Sequence, residues 1–244
     1  MIERAASRPG SLLIRRRWTR WLFAASGFIP LLALLSATPD PTLLIYSLFV
    51  LLYLLRPRPA PLAYTRGTML RFGLAIIGCG LLVELLSWTN NFIECAPEPA
   101  LLHPQLAPDL LLALGFYGAW GLAWLLGLRF FRFDLRQMFI TQGLFGILIE
   151  QRGGILIAGL LSLPLGIVLW LYVFLVYGSA MGLAAILAGI PEHAQARAGS
   201  WWKYVLVWIA VLVSSLVFTG LWGALLNPLG LVPAPQPICT NPLW

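Results

Sequence analysis

Long runs of apolar residues separated by short charged segments are the feature that most constrains how this chain folds. Of its 244 residues, 60% are hydrophobic and 10% are charged. A soluble domain carries about 25% charged residues and cannot bury this much apolar surface at this length. Intrinsic disorder is excluded as well, because it requires low hydrophobicity. The sequence therefore predicts an all-α, polytopic membrane helix bundle and excludes a water-soluble enzyme.

Seven apolar segments are long enough, or nearly long enough, to cross a bilayer. A spanning helix needs roughly 20 apolar residues, with ~17 as a lower bound. The second segment is short because Pro57, Pro59 and Pro61 prevent it from continuing. The fifth and sixth form one apolar stretch, which we divide at Pro164. The predicted spans are 18–36, 40–55, 70–89, 109–128, 137–162, 165–189 and 203–226.

The distribution of charge predicts the topology. Alternate loops hold 15 of the 16 Lys and Arg residues, whereas the other loops hold Asp40, Glu94, Glu98 and Asp109 and no cation. The positive-inside rule then places the N-terminus in the cytoplasm and the C-terminus outside a bacterial-type plasma (inner) membrane. The basic excess is accounted for by topology and by contact with anionic membrane lipids, and we expect no nucleic-acid partner.

The chain is expected to form a single transmembrane domain, residues 1–226, followed by a Pro-rich extracytoplasmic tail, residues 227–244. The N-terminus also fits a signal peptide, because a basic start and an apolar stretch at 21–35 precede the small residues Ser36 and Ala37. Of these two interpretations we favour a retained first span.

Two of the three cysteines map to the outer side. Cys95 lies in the loop after the third span and Cys239 lies in the tail. Because that compartment is oxidising, a disulfide between Cys95 and Cys239 is a reasonable hypothesis. The cysteines lack the spacing of a zinc site, and the chain contains no phosphate loop or dinucleotide fingerprint. We therefore expect no metal and no cofactor.

Three charged residues, Glu84, Glu150 and Arg152, lie inside predicted spans, where a charge costs several kcal/mol unless it is paired or hydrated. Thirteen residues separate Arg71 from Glu84, and Gln137 from Glu150, which at 1.5 Å per residue is about 20 Å. Both carboxylates are thus expected in the outer leaflet. Arg152 is the one cation of the sequence away from the cytoplasmic loops, and it needs an anion.

Polar residues of three consecutive spans are predicted to converge on one outward-facing pocket. Helical spacing aligns Glu84 with Asn91 and Gln142 with Glu150, and the next span begins with polar residues at the same level. The pocket has three interpretations: an ion-pair network that fixes helix register, a site for a lipid headgroup, or a path for protons or ions. The predicted substrate-binding residues are Glu84, Asn91, Gln105, Asp109, Gln142 and Glu150.

Part of the chain, about residues 70–170, resembles the prolipoprotein diacylglyceryl transferases. The resemblance rests on short motifs in matching order: Asn91-Phe92-Ile93, His103-Pro104-Gln105-Leu106 with Asp109, Gly143-Leu144-Phe145 with Glu150, and Ser162-Leu163-Pro164. Trp88 and Gly146 stand where that family has arginines.

The resemblance implies a helix bundle that admits a phospholipid from the side and acts on it at the outer leaflet. It further implies that Arg152 substitutes for the family's phosphate-binding arginines and that His103 acts as a general base. These two residues are the predicted catalytic pair. The alternative is a non-catalytic accessory or structural subunit of a membrane complex, whose partners are other membrane proteins and whose polar cluster serves helix register.

Overall fold

The computed structural model describes residues 17–36, 39–56, 65–149, 153–191 and 201–244. Within these ranges the chain is all-α and contains no strand. The helices are α1 Arg17–Ser26, α2 Ile29–Ala33, α3 Leu44–Leu55, α4 Arg66–Ile93, α5 Leu106–Phe130, α6 Leu135–Leu148, α7 Gly154–Leu161, α8 Gly166–Ala188 and α9 Trp202–Leu226, which continues into a 3-10 turn, Asn227–Leu229.

Four of these helices are long and apolar enough to cross a membrane: α4, α5, α8 and α9 with its 3-10 turn. Helices α4, α5 and α9 extend beyond their predicted spans, whereas α8 lies within its predicted span, and a polar residue caps α4. Thr65 starts α4 by accepting a hydrogen bond from the amide of Thr68 at 3.2 Å. Many large apolar side chains on these helices are exposed, Leu74 and Leu216 among them. An exposed apolar surface is what a lipid environment requires.

Three predicted spans differ from the structure. The segment 18–36 forms two short helices, because Pro30 lacks an amide hydrogen and Gly27 packs against α3. The segment 40–55 contains only the twelve residues of α3, about 18 Å of helix. The segment 137–162 is divided into α6 and α7, and Gly153, which begins α7, has a left-handed φ of 81° that a continuing helix does not allow.

The predicted boundary at Pro164 is present. Helix α7 ends at Leu161, α8 begins at Gly166, and the two pack together as a hairpin. The indole nitrogen of Trp170 donates to the carbonyl of Ile155 at 3.2 Å across this hairpin. Gly159 makes the approach possible, since a Cβ atom there would lie 2.0 Å from Trp170 Nε1.

The centre of the bundle is formed by α5, α6 and α8. Helix α8 contacts α3, α4, α6 and α7, and α5 lies between α4 and α9. The ring of Trp120 on α5 is 5.5 Å from Phe145 on α6 and 5.9 Å from Tyr177 on α8. Glycines bring α6 and α8 close, because a Cβ atom at Gly143 would lie 2.6 Å from Phe174 Cδ2.

The described cations lie at one end of the bundle, together with Asp134, which caps α6, and the other described acids lie toward the opposite end. Helix directions place every described Arg and Lys at one end, the basic end, where Lys203 Nζ donates to the carbonyl of Arg132 at 3.0 Å and to Gln137 Oε1 at 2.8 Å. The other, acidic end contains the start of α3, the ends of α4 and α9, and the start of α5. Its charged residues are Asp40, Glu84, Glu94, Glu98 and Asp109.

Candidate functional site

A cavity of about 690 Å³ lies between α4, α5 and α8 toward the acidic end, and we call it the α4–α8 cavity. Ile155 at the start of α7 and residues 100–102 of the loop after α4 complete its wall. Part of the lining is polar: Thr42, Glu84, Ser87, Asn90 and Asn91. The aromatic part consists of Phe116, Tyr117, Tyr172 and Tyr177.

Glu84 is held at the cavity wall by a contact between two helices. The hydroxyl of Tyr117 on α5 donates to Glu84 Oε2 on α4 at 3.0 Å. Gly80, one turn before Glu84, makes room for the tyrosine ring, since a Cβ atom there would lie 2.2 Å from Tyr117 Cδ1. A glycine, a tyrosine and a glutamate thus form one packing unit, and its polar end lines the cavity.

The last two turns of α4 supply the remaining polar groups of that wall. Asn91 Nδ2 donates to the carbonyl of Ser87 at 2.9 Å. The side-chain oxygen of Asn90 is buried and has no hydrogen-bond partner among the described residues. Since a buried acceptor without a donor is unfavourable, Asn90 is suited to a ligand or water molecule that donates a hydrogen bond.

Helix α8 supplies two tyrosines on the opposite wall. The hydroxyl of Tyr172 interacts with the side chains of Asp40 and Thr42, and Asp40 Oδ1 in turn accepts the amide of Thr42 at 2.8 Å. Tyr177 lies deeper and packs over Gly146, where a Cβ atom would lie 2.7 Å from Tyr177 Cδ2. The cavity therefore has aromatic rings on its α5 and α8 walls and carboxylate and amide groups on its α4 wall.

His103, Gln105 and Asp109 are brought together by the structure, but none lines the cavity: His103 and Gln105 hold the C-terminal tail, and Asp109 holds the backbone of His103. Asp109 Oδ1 accepts the amide of His103 at 2.9 Å, and His103 Nδ1 accepts the amide of Gln105 at 3.1 Å. His103 Nε2 is 3.0 Å from the carbonyl of Pro233. Since Nδ1 is an acceptor, Nε2 carries the proton and donates it. Both ring nitrogens have main-chain partners, so a general base role for His103 requires one of these bonds to open.

Gln105 binds the tail most extensively. Its Nε2 donates to the carbonyls of Gln236 at 2.9 Å and Asn241 at 3.0 Å, and its Oε1 accepts the amide of Gln236 at 3.3 Å. The amides of Leu106 and Ala107 donate to Pro242 and Leu243 at 2.9 and 3.0 Å. The tail is thus folded back over the start of α5.

A disulfide joins Cys95 and Cys239, with their Cα atoms 5.5 Å apart. The pairing proposed from the sequence is therefore present in the structure. It ties the tail to the loop after α4, on the same side as the Gln105 contacts. The two attachments fix the tail beside the loop that completes the cavity wall.

The other predicted binding residues lie elsewhere. Gln142 is buried between α5 and α6, where its Oε1 accepts the indole N–H of Trp124 at 3.1 Å and its Nε2 has no hydrogen-bond partner among the described residues. Glu150 and Arg152 lie outside the described residues. Of the predicted binding residues that the structure describes, Glu84 and Asn91 line the cavity, and Gln105, Asp109 and Gln142 do not.

The tyrosines and Asn90 were not among the residues predicted from the sequence to form the site. Tyr117 follows Asp109 by eight residues, which places it on the same face of α5, and this spacing was a usable signal. Tyr172 and Tyr177 lie in an apolar helix, and no spacing distinguished them from packing residues. In the part of the chain that the structure describes, no three His, Cys, Asp or Glu side chains are grouped to hold a metal ion.

Comparison with known proteins gives no relative. No protein-family model, no curated protein and no solved structure matches the chain.

Proposed function

We propose that this protein is an integral membrane protein that binds a phospholipid, or a similar amphiphile, in the α4–α8 cavity. The observation that carries the proposal is the cavity itself: about 690 Å³ lined by polar and aromatic side chains, between helices whose outer surfaces are apolar. Ligand sites are concave, mostly apolar, and contain a few convergent polar groups. This cavity meets that description.

The depth of the cavity favours a ligand with a polar head and apolar chains. Asn90 and Asn91 lie in the last turn of α4, whereas Glu84 lies nine residues before its end, about 14 Å along the helix. Val83 and Val176 add apolar surface to the lining. A headgroup fits the polar wall, and acyl chains fit the apolar surface of the bundle.

The proposed topology places this site in the outer leaflet of a bacterial-type inner membrane. It comprises seven spans, with the N-terminus in the cytoplasm and the C-terminus outside. Two observations support it: the described cations all lie at the basic end, and the disulfide lies at the acidic end. In this arrangement α6 and α7 act as one interrupted span. Irregular backbone within a membrane is tolerated where it borders a cavity, and Ile155 in the first turn of α7 does so.

Lipid processing of the diacylglyceryl transferase type is an extension of this proposal. In it, Arg152 binds the lipid phosphate, Glu150 belongs to the substrate-binding set, and His103 acts as a base after the tail opens. Substituting Arg152→Ala or His103→Ala should then abolish lipid turnover while the protein still assembles. Loss of assembly with unchanged turnover per folded molecule would refute the catalytic assignment.

A second candidate function is that of a non-catalytic subunit in a membrane complex. The observation that favours it is the use of His103 and Gln105 in attaching the tail, which leaves the cavity without those groups. This function predicts a partner that co-purifies in mild detergent. It also predicts that Glu84→Gln and Arg152→Gln reduce stability alone.

The lipid-binding proposal is tested by counting phospholipid that co-purifies with variants that differ in whether the cavity is open. Ser87→Trp places a large ring in the cavity, whereas Thr89→Trp adds the same ring two residues along α4, outside the lining. Native mass spectrometry of the wild type and Thr89→Trp should show about one retained phospholipid per chain, and Ser87→Trp should lose most of it. Equal retention by all three proteins would overturn the proposal.

A further inference from the structure

The α4–α8 cavity offers hydrogen-bond acceptors and negative charge to a ligand. Its described lining contains the carboxylate of Glu84, the unpartnered oxygen of Asn90 and three tyrosines, but no Lys, Arg or His. A ligand complementary to this surface brings donors and positive charge.

Two loop carboxylates lie near the Tyr172 side of the cavity. Tyr172 lies in the electrostatic field of both Asp40 and Glu94, and its hydroxyl interacts directly with Asp40. Each of these carboxylates belongs to a loop at the acidic end, whereas every described cation lies at the basic end. A positive group at the mouth of the cavity is therefore attracted by two acids and meets no described cation.

Aromatic rings strengthen the preference of the cavity for a positively charged group. Phe116, Tyr117, Tyr172 and Tyr177 line the cavity. The face of an aromatic ring carries partial negative charge and attracts ammonium groups, most strongly where water is excluded. Several rings together with carboxylates are the combination by which proteins recognise amines and quaternary ammonium ions.

We propose that the amphiphile bound in this cavity carries an ammonium headgroup, and that this group lies at the Tyr172 side, between the rings and the acceptors of Asp40 and Asn90. The inference rests on the proposed lipid-binding function and names the class of its ligand. It distinguishes zwitterionic aminophospholipids, which bear an ammonium group, from anionic glycerol-headed phospholipids, which do not.

The test is a competition between two lipids with identical acyl chains. The full-length protein is reconstituted in nanodiscs containing equal amounts of phosphatidylethanolamine and phosphatidylglycerol, released into mild detergent, and analysed by native mass spectrometry. We expect the wild type to retain phosphatidylethanolamine over phosphatidylglycerol by about tenfold. Because both lipids compete for the same molecules, the ratio is independent of how much protein folds.

Matched variants assign the preference to the proposed groups. Tyr172→Leu removes the ring and Asp40→Asn removes the charge, and each should reduce the ratio to about one to threefold. Tyr172→Phe keeps the ring, and Glu98→Gln changes an exposed loop acid outside the lining, so both should retain most of the preference.

The possible failures are distinguishable. If the wild type retains both lipids equally, or favours phosphatidylglycerol, the ammonium inference is overturned while the lipid-binding function stands. A preference that Tyr172→Leu and Asp40→Asn leave unchanged also overturns it, because the selectivity then arises elsewhere. If the wild type retains neither lipid, the proposed function fails, and the inference fails with it.

Discussion

The hydroxyl of Tyr117 donates a hydrogen bond of 3.0 Å to Oε2 of Glu84. This bond joins α5 to α4 within the bundle and holds the Glu84 carboxylate at the wall of the α4–α8 cavity. The contact depends on Gly80, over which the tyrosine ring packs. We therefore expect stability and the proposed lipid binding to depend on the same few side chains.

Removing the hydroxyl of Tyr117 should lower the stability of the bundle without altering its packing. Tyr117→Phe deletes a hydrogen bond to an acidic group, which contributes about 1–3 kcal/mol to the free energy of unfolding. Denaturant unfolding in detergent, followed by circular dichroism, measures this loss. Tyr204→Phe is the control at the basic end and should change stability by less than about 0.5 kcal/mol. Equal effects of the two substitutions would contradict the role given to the Tyr117 bond.

Two glycines of α4 provide a matched test of the close approach. Gly80→Ala places a methyl group 2.2 Å from Tyr117 Cδ1, so the ring must move, and we expect a loss of about 1–3 kcal/mol together with weaker lipid retention. Gly78 has nothing within 4 Å of the corresponding position. Gly78→Ala should therefore be neutral or stabilise the helix by up to about 1 kcal/mol. Thermal unfolding of both variants measures the difference. A Gly80→Ala variant as stable as the wild type would contradict the close packing of Tyr117 over Gly80.

Loss of the disulfide should change both the electrophoretic mobility and the stability of the protein. Cys239→Ser and Cys95→Ser should each abolish the mobility difference between reduced and non-reduced protein and lower stability by about 2–4 kcal/mol. Cys79, which is buried and unpaired, is the control, and Cys79→Ala should keep the mobility difference. A mobility difference that persists in Cys95→Ser would show that Cys239 pairs differently.

The attachment of the tail can be tested at Gln105. Gln105→Ala leaves the carbonyls of Gln236 and Asn241 and the amide of Gln236 without their partner, so amide exchange in residues 233–244 should become at least tenfold faster. Gln236→Ala keeps these main-chain bonds and should change exchange little. Hydrogen–deuterium exchange with mass spectrometry measures both. Unchanged protection in Gln105→Ala would mean that other contacts hold the tail.

The helical class of the protein and the polar character of α4 could be predicted from sequence, because both depend on local pattern. Apolar runs located the long helices, and helical spacing put Glu84 and Asn91 on one face of α4, where both line the cavity. The loop positions of Cys95 and Cys239 suggested their pairing, since both followed from the order of the spans. These inferences needed only the period of the helix and the alternation of loops.

The rotation of each helix relative to its neighbours could not be predicted. Gln142 lies seven residues after the start of α6, toward the basic end, and its side chain faces Trp124. His103 and Gln105 lie just before α5 near the acidic end, yet the returning tail takes up their hydrogen-bonding groups, and no local pattern encodes that long-range contact. The position of a residue along its helix could therefore be estimated from sequence, whereas helix packing determines which side chains line the cavity.

The central claim is that the α4–α8 cavity holds an amphiphile headgroup. An experimental density map of the protein in lipid nanodiscs, obtained by electron cryomicroscopy with a bound antibody fragment, tests it most directly. We predict an elongated density in the cavity, with its polar end within hydrogen-bonding distance of Asn90 and Glu84 and its chains directed to the bundle surface. A cavity filled by protein side chains, or by water alone, would contradict the claim.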